Sequence, residues 1–395
     1  MKEYTQKFDV VVVGAGPAGA SSAIIFGQNG ISTALLDKKD FPRDKTCGDG
    51  ITYKAKSDLI KLGVFKEIEK SAPFKVNGYS LIFSNNSQLK FEFADDNESQ
   101  IYIISRNIFD NILLKKAMSF ESVQFLPKTE IKKISDEHTG VITKNNTTIS
   151  GKTIIDATGY NSILGQHNKD LHKNAWAVRG YYENLTGLDK TIEIYFTSSV
   201  SPGYFWIFPT SETSANVGCG TFINIVEKKS LDLKAILKDF IENHPIASKK
   251  FKNANLQGRI EGGKIPLAFG DFNWSRVTNN LISIGDAGGF VNPITAEGIS
   301  YAIKTGILAA EVISKAIRNN RYTEEELKKF DTLWHKEFSK QYKFGDIYTE
   351  SFSKELISKY FISNFQKNFE NKDLSKVSAV YEYMIKLKVI AKSLR

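Results

Sequence analysis

Residues 8–37 constrain the fold more than any other stretch of this 395-residue chain. An apolar run from Phe8 to Val13 ends in Gly14-Ala15-Gly16-Pro17-Ala18-Gly19; a helix is expected over Pro17–Asn29 and a second strand over Ser32–Asp37. Strand, glycine turn, helix and strand in this order make a βαβ unit built to hold a dinucleotide. Gly14 permits the tight turn, Gly16 lets backbone approach a pyrophosphate, and Gly19 allows close helix packing. Asp37, followed by Lys38, closes the second strand at the spacing where a carboxylate accepts hydrogen bonds from an adenosine ribose.

A second glycine turn lies far downstream. Residues 282–299 read as a strand, a turn bearing Gly285 and Asp286, and a helix starting near Pro293 and running past Gly298 and Ile299. Asp286 at a strand end suits a ribityl hydroxyl, and a helix N-terminus at Pro293 would favour a reduced, anionic flavin by about 0.3–2 kcal/mol. Between Gly159 and Leu281 no second GxGxxG occurs, because Gly218-Cys219-Gly220 has Ile223 where the third glycine would fall. The two turns are therefore expected to grip one FAD at both its ends. Any nicotinamide would bind transiently; NAD(P)H and a reduced electron carrier fit equally as the external donor.

Between these turns the periodicity changes. A helix from Arg106 to about Ser119 and short strands at Val123–Phe125, Glu130–Ile134 and Thr153–Asp156 continue the nucleotide domain, with Asp156 and Gly159 where chain should pass beneath the cofactor. Alternating segments at Ala177–Glu183, Ile192–Thr197, Tyr204–Pro209, Ala215–Phe222 and Gly258–Pro266 predict an antiparallel sheet, joined by Val76–Phe83 and Leu89–Phe93 and covered by a helix over Leu231–Asn243. The expected fold is α/β: a Rossmann-like FAD-binding domain (1–75, 106–170, 276–320), an inserted α+β antiparallel-sheet substrate domain (171–275, with 76–105), and a C-terminal helical segment (321–395).

Composition narrows the class. With 41% hydrophobic residues the chain can fill large cores, and no apolar run reaches the roughly 20 residues of a membrane span. A cytosolic location is expected, since the first residues lack a signal-peptide core. Cys47 and Cys219 have no metal-ligand or CxxC spacing, so neither a disulfide nor a metal site is indicated. The net charge of +9 is spread along the chain rather than clustered around aromatics, which argues against a nucleic-acid partner. Between Lys376 and Arg395, however, five basic residues accompany one acid, with apolar residues at helical spacing. That segment fits a basic amphipathic helix on the inner face of a membrane and equally a terminal helix packed on the body.

Four stretches together resemble the geranylgeranyl reductase family of flavoproteins, within the p-hydroxybenzoate hydroxylase fold. They are the Gly14–Gly19 turn with Asp37; the loop from Phe41 to Gly50, containing Pro42, Arg43, Lys45, Cys47 and Gly48; the Tyr204-x-Trp206-x-Phe208-Pro209 strand followed by Asn216-Val217-Gly218-Cys219-Gly220; and Gly285–Ile299. The resemblance implies FAD contacts at Ala18, Asp37, Cys47, Gly48, Gly50, Arg106, Asp286, Gly298 and Ile299, with Glu130 near the adenine as a weaker match. It places Cys47 beside the reactive ring, where a thiol can donate a proton, tune substrate fit or simply pack. Tyr204, Trp206 and Phe208 should share one face of their strand and line the substrate cavity, unless they form a core stripe. Asp37 stands where the family often has Glu, and Ala296 where it often has Gly. Tyr204 and Phe208 replace the first Trp and the Ile of the related halogenase motif, which counts against halogenation.

The expected activity is hydride transfer from reduced FAD to carbon–carbon double bonds of a prenyl substrate, with a proton from water, Cys47 or Tyr204 and Trp206 in the wall. A flavin monooxygenase is the nearest rival. A flavin-binding membrane-surface protein without turnover is the third reading.

Overall fold

The computed structural model describes residues 5–92, 100–135, 138–164, 174–267 and 275–352. The basic segment 376–395 lies outside the described residues. Consecutive β-branched residues at Val10–Val13 and the apolar runs Thr33–Leu36 and Thr153–Asp156 form fully buried strands, as expected for a sheet covered on both faces. They are the centre of a six-stranded sheet whose spatial order is Val277–Thr278, Leu281–Ser283, Thr153–Asp156, Val10–Val13, Thr33–Leu36, Val123–Leu126. All neighbours are parallel except the first pair. Gly14, Asp37, Ala157 and Ile284 directly follow four of these strands, so one edge of the sheet gathers segments remote in sequence.

Helix Pro17–Gln28 is buried over nearly its whole surface, between this sheet and the long helix Ile299–Arg318. At Gly19 an added Cβ would stand 1.8 Å from the Gly14 carbonyl oxygen, so the first turn closes only with glycine there. Helix Lys329–Phe352 inserts Trp334 and Tyr342, both fully buried, against the returning segment. Trp334 packs edge-on to Phe290 at 5.4 Å, and the Tyr342 hydroxyl donates to the Phe290 carbonyl at 3.0 Å. Helix Lys329–Phe352 thus clamps the chain that carries Asp286.

A seven-stranded sheet runs in the order Asn255–Ile265, Ala175–Glu183, Ala215–Phe222, Tyr204–Pro209, Ile192–Tyr195, Gly78–Ile82, Gln88–Glu92. Helix Leu233–Asn243 covers one face, with Phe205 stacked on Phe240 at 4.1 Å. Two expectations need correction. The sheet is mixed, because Ile192–Tyr195 pairs in parallel with Gly78–Ile82, a hairpin strand contributed by a much earlier part of the chain. The strand expected over Val76–Phe83 is divided: Phe74–Val76 pairs instead with Ile101–Ile103, which with Gly50–Ile51 makes a separate three-stranded sheet. Alternation reads the face of a strand but not its partner.

The helix expected at Pro293 is also corrected. Asn292 Oδ1 accepts from the amides of Ile294 and Thr295, making a turn, and Ala296 then adopts φ +53°. The helix starts only at Ile299, behind Gly298. Proline's fixed φ serves a turn as well as a first helical position, which is why the motif misleads. Among the described residues no helix is long and apolar enough to cross a membrane, and no cluster of His, Cys, Asp or Glu could hold a metal ion.

Candidate active site

A cavity of about 770 Å³ runs along the carboxyl edge of the parallel sheet, between it and the seven-stranded sheet. At one end lie Gly14, Gly16, Pro17, Ala18, Asp37, Lys38 and Glu130. Helix Pro17–Gln28 has no side-chain cap and no acid in its first turn, so its leading amides remain available to an anion. Asp37 Oδ2 accepts the Ala15 amide at 2.9 Å and Oδ1 the Lys39 amide at 2.9 Å, which fixes the carboxylate at the strand end with lone pairs to spare. Glu130 pairs with Lys144 at 2.7 Å on the rim.

The middle of the cavity is basic. Buried Arg106 grips Asp110 through two hydrogen bonds of 2.7 and 2.8 Å, and Arg43 approaches the same carboxylate at 3.3 Å, so two cations share one acid. Lys45 donates to Asp286 at 2.8 Å, tying the first loop to the second glycine turn. Burial would raise the Asp286 carboxyl, but Lys45 and Arg106 outweigh it and hold the group below its ordinary value.

At the other end Cys47 and Gly48 face Trp206. Tyr204, Trp206 and Phe208 share one strand face, their ring centroids 6.2 and 6.3 Å apart in sequence order. Room for the indole comes from Gly218 on the neighbouring strand, where an added Cβ would stand 2.3 Å from the Trp206 ring. The Gly218-Cys219-Gly220 sequence is thus a packing device rather than a nucleotide turn. Trp206 Nε1 donates to Asn216 Oδ1 at 3.0 Å; Asn216 Nδ2 in turn donates to the Cys47 carbonyl at 2.7 Å and to Asp49 at 2.9 Å. Burial pushes the half-buried Cys47 thiol up, against the pull of Arg106, so the side chain keeps its proton near neutrality.

Comparison with known proteins bears on this arrangement. Residues 7–172 match the FAD binding domain model, and residues 175–259 match the geranylgeranyl reductase catalytic domain model. A digeranylgeranylglycerophospholipid reductase of Methanococcus vannielii is 30% identical over 363 residues, covering 87% of this chain and 85% of that one. The chain belongs to the geranylgeranyl reductase family of FAD-dependent oxidoreductases. A second reductase of the same name, from Methanocaldococcus jannaschii, is 31% identical over 352 residues, covering 85% of this chain and 84% of its own. In fold, a geranylgeranyl bacteriochlorophyll reductase-like protein of Thermoplasma acidophilum superposes with a TM-score of 0.84 at 23% identity, covering 96% of each chain. The myxobacterial chondrochloren halogenase shares the fold too, with a TM-score of 0.74 at 22% identity over 86% of this chain and 82% of that one.

The residues present fit FAD in this family member. The cavity is elongated, has uncapped helix amides beside Gly16, and leaves open space above Gly159, where an added Cβ would meet nothing within 4 Å. Of the residues singled out from sequence, Gly14, Gly16, Pro17, Ala18, Asp37, Lys38, Cys47, Gly48, Arg106, Glu130, Gly159, Trp206 and Asp286 line it. Others stand behind the lining. Gly19 and Gly285 pack backbone against backbone or Ala18, and Gly50 lies under the Phe208 ring. Asp156 points into a loop, accepting from Thr158 and Ser162. Gly298 sits next to Asp286, an added Cβ falling 3.6 Å from its Oδ1, and Ile299 opens the long helix. Pro293 lies in the turn that precedes this helix, and Tyr204 donates its hydroxyl to Thr295 of that same turn at 2.8 Å. Sequence reasoning did not select Arg43, Lys45, Asp49, Asp110, Tyr181 or Asn216. Arg43, Lys45, Asp49 and Asn216 sit within motifs already conspicuous, and the i,i+4 spacing of Arg106 and Asp110 was a readable signal.

Proposed function

We propose that this oxidoreductase saturates carbon–carbon double bonds of a prenyl lipid, and that the reaction takes place between the Cys47–Gly48 loop and Trp206. Bound FAD supplies the hydride chemistry. The observation that carries the reading is the wall facing the loop: the Trp206 indole lines the cavity, flanked on its strand face by Tyr204 and Phe208, and is anchored by Asn216 to the backbone of Cys47 itself. An apolar surface of this kind suits an acyclic hydrocarbon, whose burial supplies roughly 0.8 kcal/mol per CH₂, or on the order of 8 kcal/mol for half of a twenty-carbon chain.

An isolated alkene has no carbonyl to accept charge, so proton delivery must come from a group already in place. Cys47 is a proton-bearing side chain in the cavity lining beside Trp206; the Tyr204 hydroxyl, bonded to Thr295, serves to hold the turn before the long helix. The names of the Methanococcus and Methanocaldococcus relatives support a lipid bearing geranylgeranyl chains as the substrate class. We further propose that the division into a cofactor unit and an inserted wall unit (76–105 with 171–275) is functional, and that residues 376–395 reach the membrane where such a substrate resides.

Anaerobic turnover of the reduced full-length protein with a geranylgeranyl-bearing glycerophospholipid tests the reading by product mass. Gain of two hydrogens per reduced bond is expected. Gain of one oxygen in air, with no hydrogenated product, would establish the monooxygenase in its place.

A further inference from the structure

Asp49 is a buried acid that hydride transfer to an alkene does not by itself require. It is fully buried behind the cavity lining and holds φ +66°, a left-handed conformation that Asp and Asn tolerate better than other non-glycine residues. Its amide points at the Cys47 sulfur at 3.4 Å, and its carbonyl accepts from Ile104 at 3.1 Å, so the backbone around it is fixed. One carboxyl oxygen, Oδ2, accepts from the Tyr181 hydroxyl at 2.5 Å and from Asn216 Nδ2 at 2.9 Å. The other, Oδ1, is buried and makes no hydrogen bond. An ionised carboxylate with a bare, buried oxygen is costly, whereas a neutral carboxyl can carry its proton there.

We propose that Asp49 is a positioning residue whose protonation governs the Cys47 thiol: clamped by Tyr181 and Asn216 behind the loop, it determines how readily that thiol releases its proton. This rests on the reading of Cys47 as the proton-bearing group. When the carboxyl is neutral, the charges facing the sulfur are Arg106 and Lys45, both of which favour release. When Asp49 loses its proton to solvent, a like charge appears beside the sulfur and the thiol holds its proton more firmly. The groups facing Asp49 are Arg179 and Tyr181 from strand Ala175–Glu183, Arg106 from its helix, Asn216, and Cys47 from its own loop. Arg106 is tied to Asp110 and Arg179 to Asp44, so neither cation is wholly given to Asp49. Burial raises the carboxyl to about 6, against the opposing effects of Tyr181, Asn216 and the two arginines, which places the change within a working pH range.

Infrared titration of the full-length, flavin-loaded protein reads both groups without turnover. The S–H stretch of Cys47, assigned by its loss in Cys47→Ser, is expected to shift over the same interval in which a protonated-carboxyl band bleaches, with a midpoint near pH 6. In Asp49→Asn the carboxyl band and the S–H shift should both vanish, with the thiol staying at its low-pH position. Tyr181→Phe removes a donor to the carboxylate and should move the shared midpoint upward, which keeps the test alive should the Asn variant not fold. An S–H band that does not move with pH, or moves equally in Asp49→Asn, overturns the proposal. Coupled bands in a protein that hydrogenates no prenyl lipid would sink the reductase reading alone, and hydrogenation with uncoupled bands would sink only the role of Asp49.

Discussion

The two ends of the cavity are built in opposite ways. The Gly14–Asp37 end comes from one continuous βαβ unit in which backbone geometry does the binding: uncapped amides, a glycine contact, and a carboxylate fixed by the amides of Ala15 and Lys39. The Cys47–Trp206 end is assembled from side chains far apart in sequence, joined by Asn216 across 169 residues to Cys47, and Lys45 in the middle of the cavity reaches Asp286 across 241 residues. The first kind of site tolerates almost no change in shape; the second is open to changes in charge and hydrogen bonding.

Substitutions should separate the two. Gly19→Ala strikes the backbone end, where the new Cβ would stand 1.8 Å from the Gly14 oxygen. A loss on the order of 3 kcal/mol or more is expected, together with bound flavin, measurable by urea denaturation and by visible absorbance per mole of protein.

Asp49→Asn strikes the side-chain end with a pH-dependent sign. The folded carboxyl value of about 6 lies above the ordinary 3.8, so the native state binds a proton more tightly than the unfolded chain. Stability from the neutral form is complete below about pH 4 and is lost as pH rises towards 6. The Asn variant should therefore be more stable than the parent above pH 6, by at most about 3 kcal/mol, with that advantage gone below pH 4. Thermal melts across this range check it; a constant difference at all pH values would refute the buried-acid account.

Trp206→Phe removes the donor to Asn216 and should cost about 1–3 kcal/mol. Flavin content should stay near the parental level while prenyl hydrogenation falls at least tenfold, and equal loss of both would erase the distinction between the ends. The smallest effect belongs to Ala296→Gly in the turn between Asn292 and the long helix, where φ +53° strains a residue with a Cβ. A gain of about 0.5 kcal/mol in chemical denaturation is expected.

The same contrast explains what could be read from the chain. The nucleotide unit was legible because each of its residues acts on near neighbours, through a turn, a first helical position or a strand end. Tyr204, Trp206 and Phe208 were legible as one face because alternation along a strand is local too. Asn216 and Asp49 lie inside conspicuous motifs, but nothing local revealed their roles, which exist only once strand Ala215–Phe222 lies beside Tyr204–Pro209 and under the Cys47 loop. The divided strand at Asn77 and the parallel pairing of Ile192–Tyr195 belong to the same class, because a strand's pattern does not name its partner. At Pro293 a local signal was present but ambiguous, and Asn292 decided it in favour of a turn.

The central claim is that one dinucleotide spans both ends with its reactive ring against Cys47. Alkylation of Cys47 in the full-length protein, with Cys219→Ser removing the other thiol, tests this most directly. FAD should slow the reaction at least tenfold, while ADP, which reaches only the Gly14–Asp37 end, should leave it unchanged. Equal rates with and without bound FAD would contradict the account.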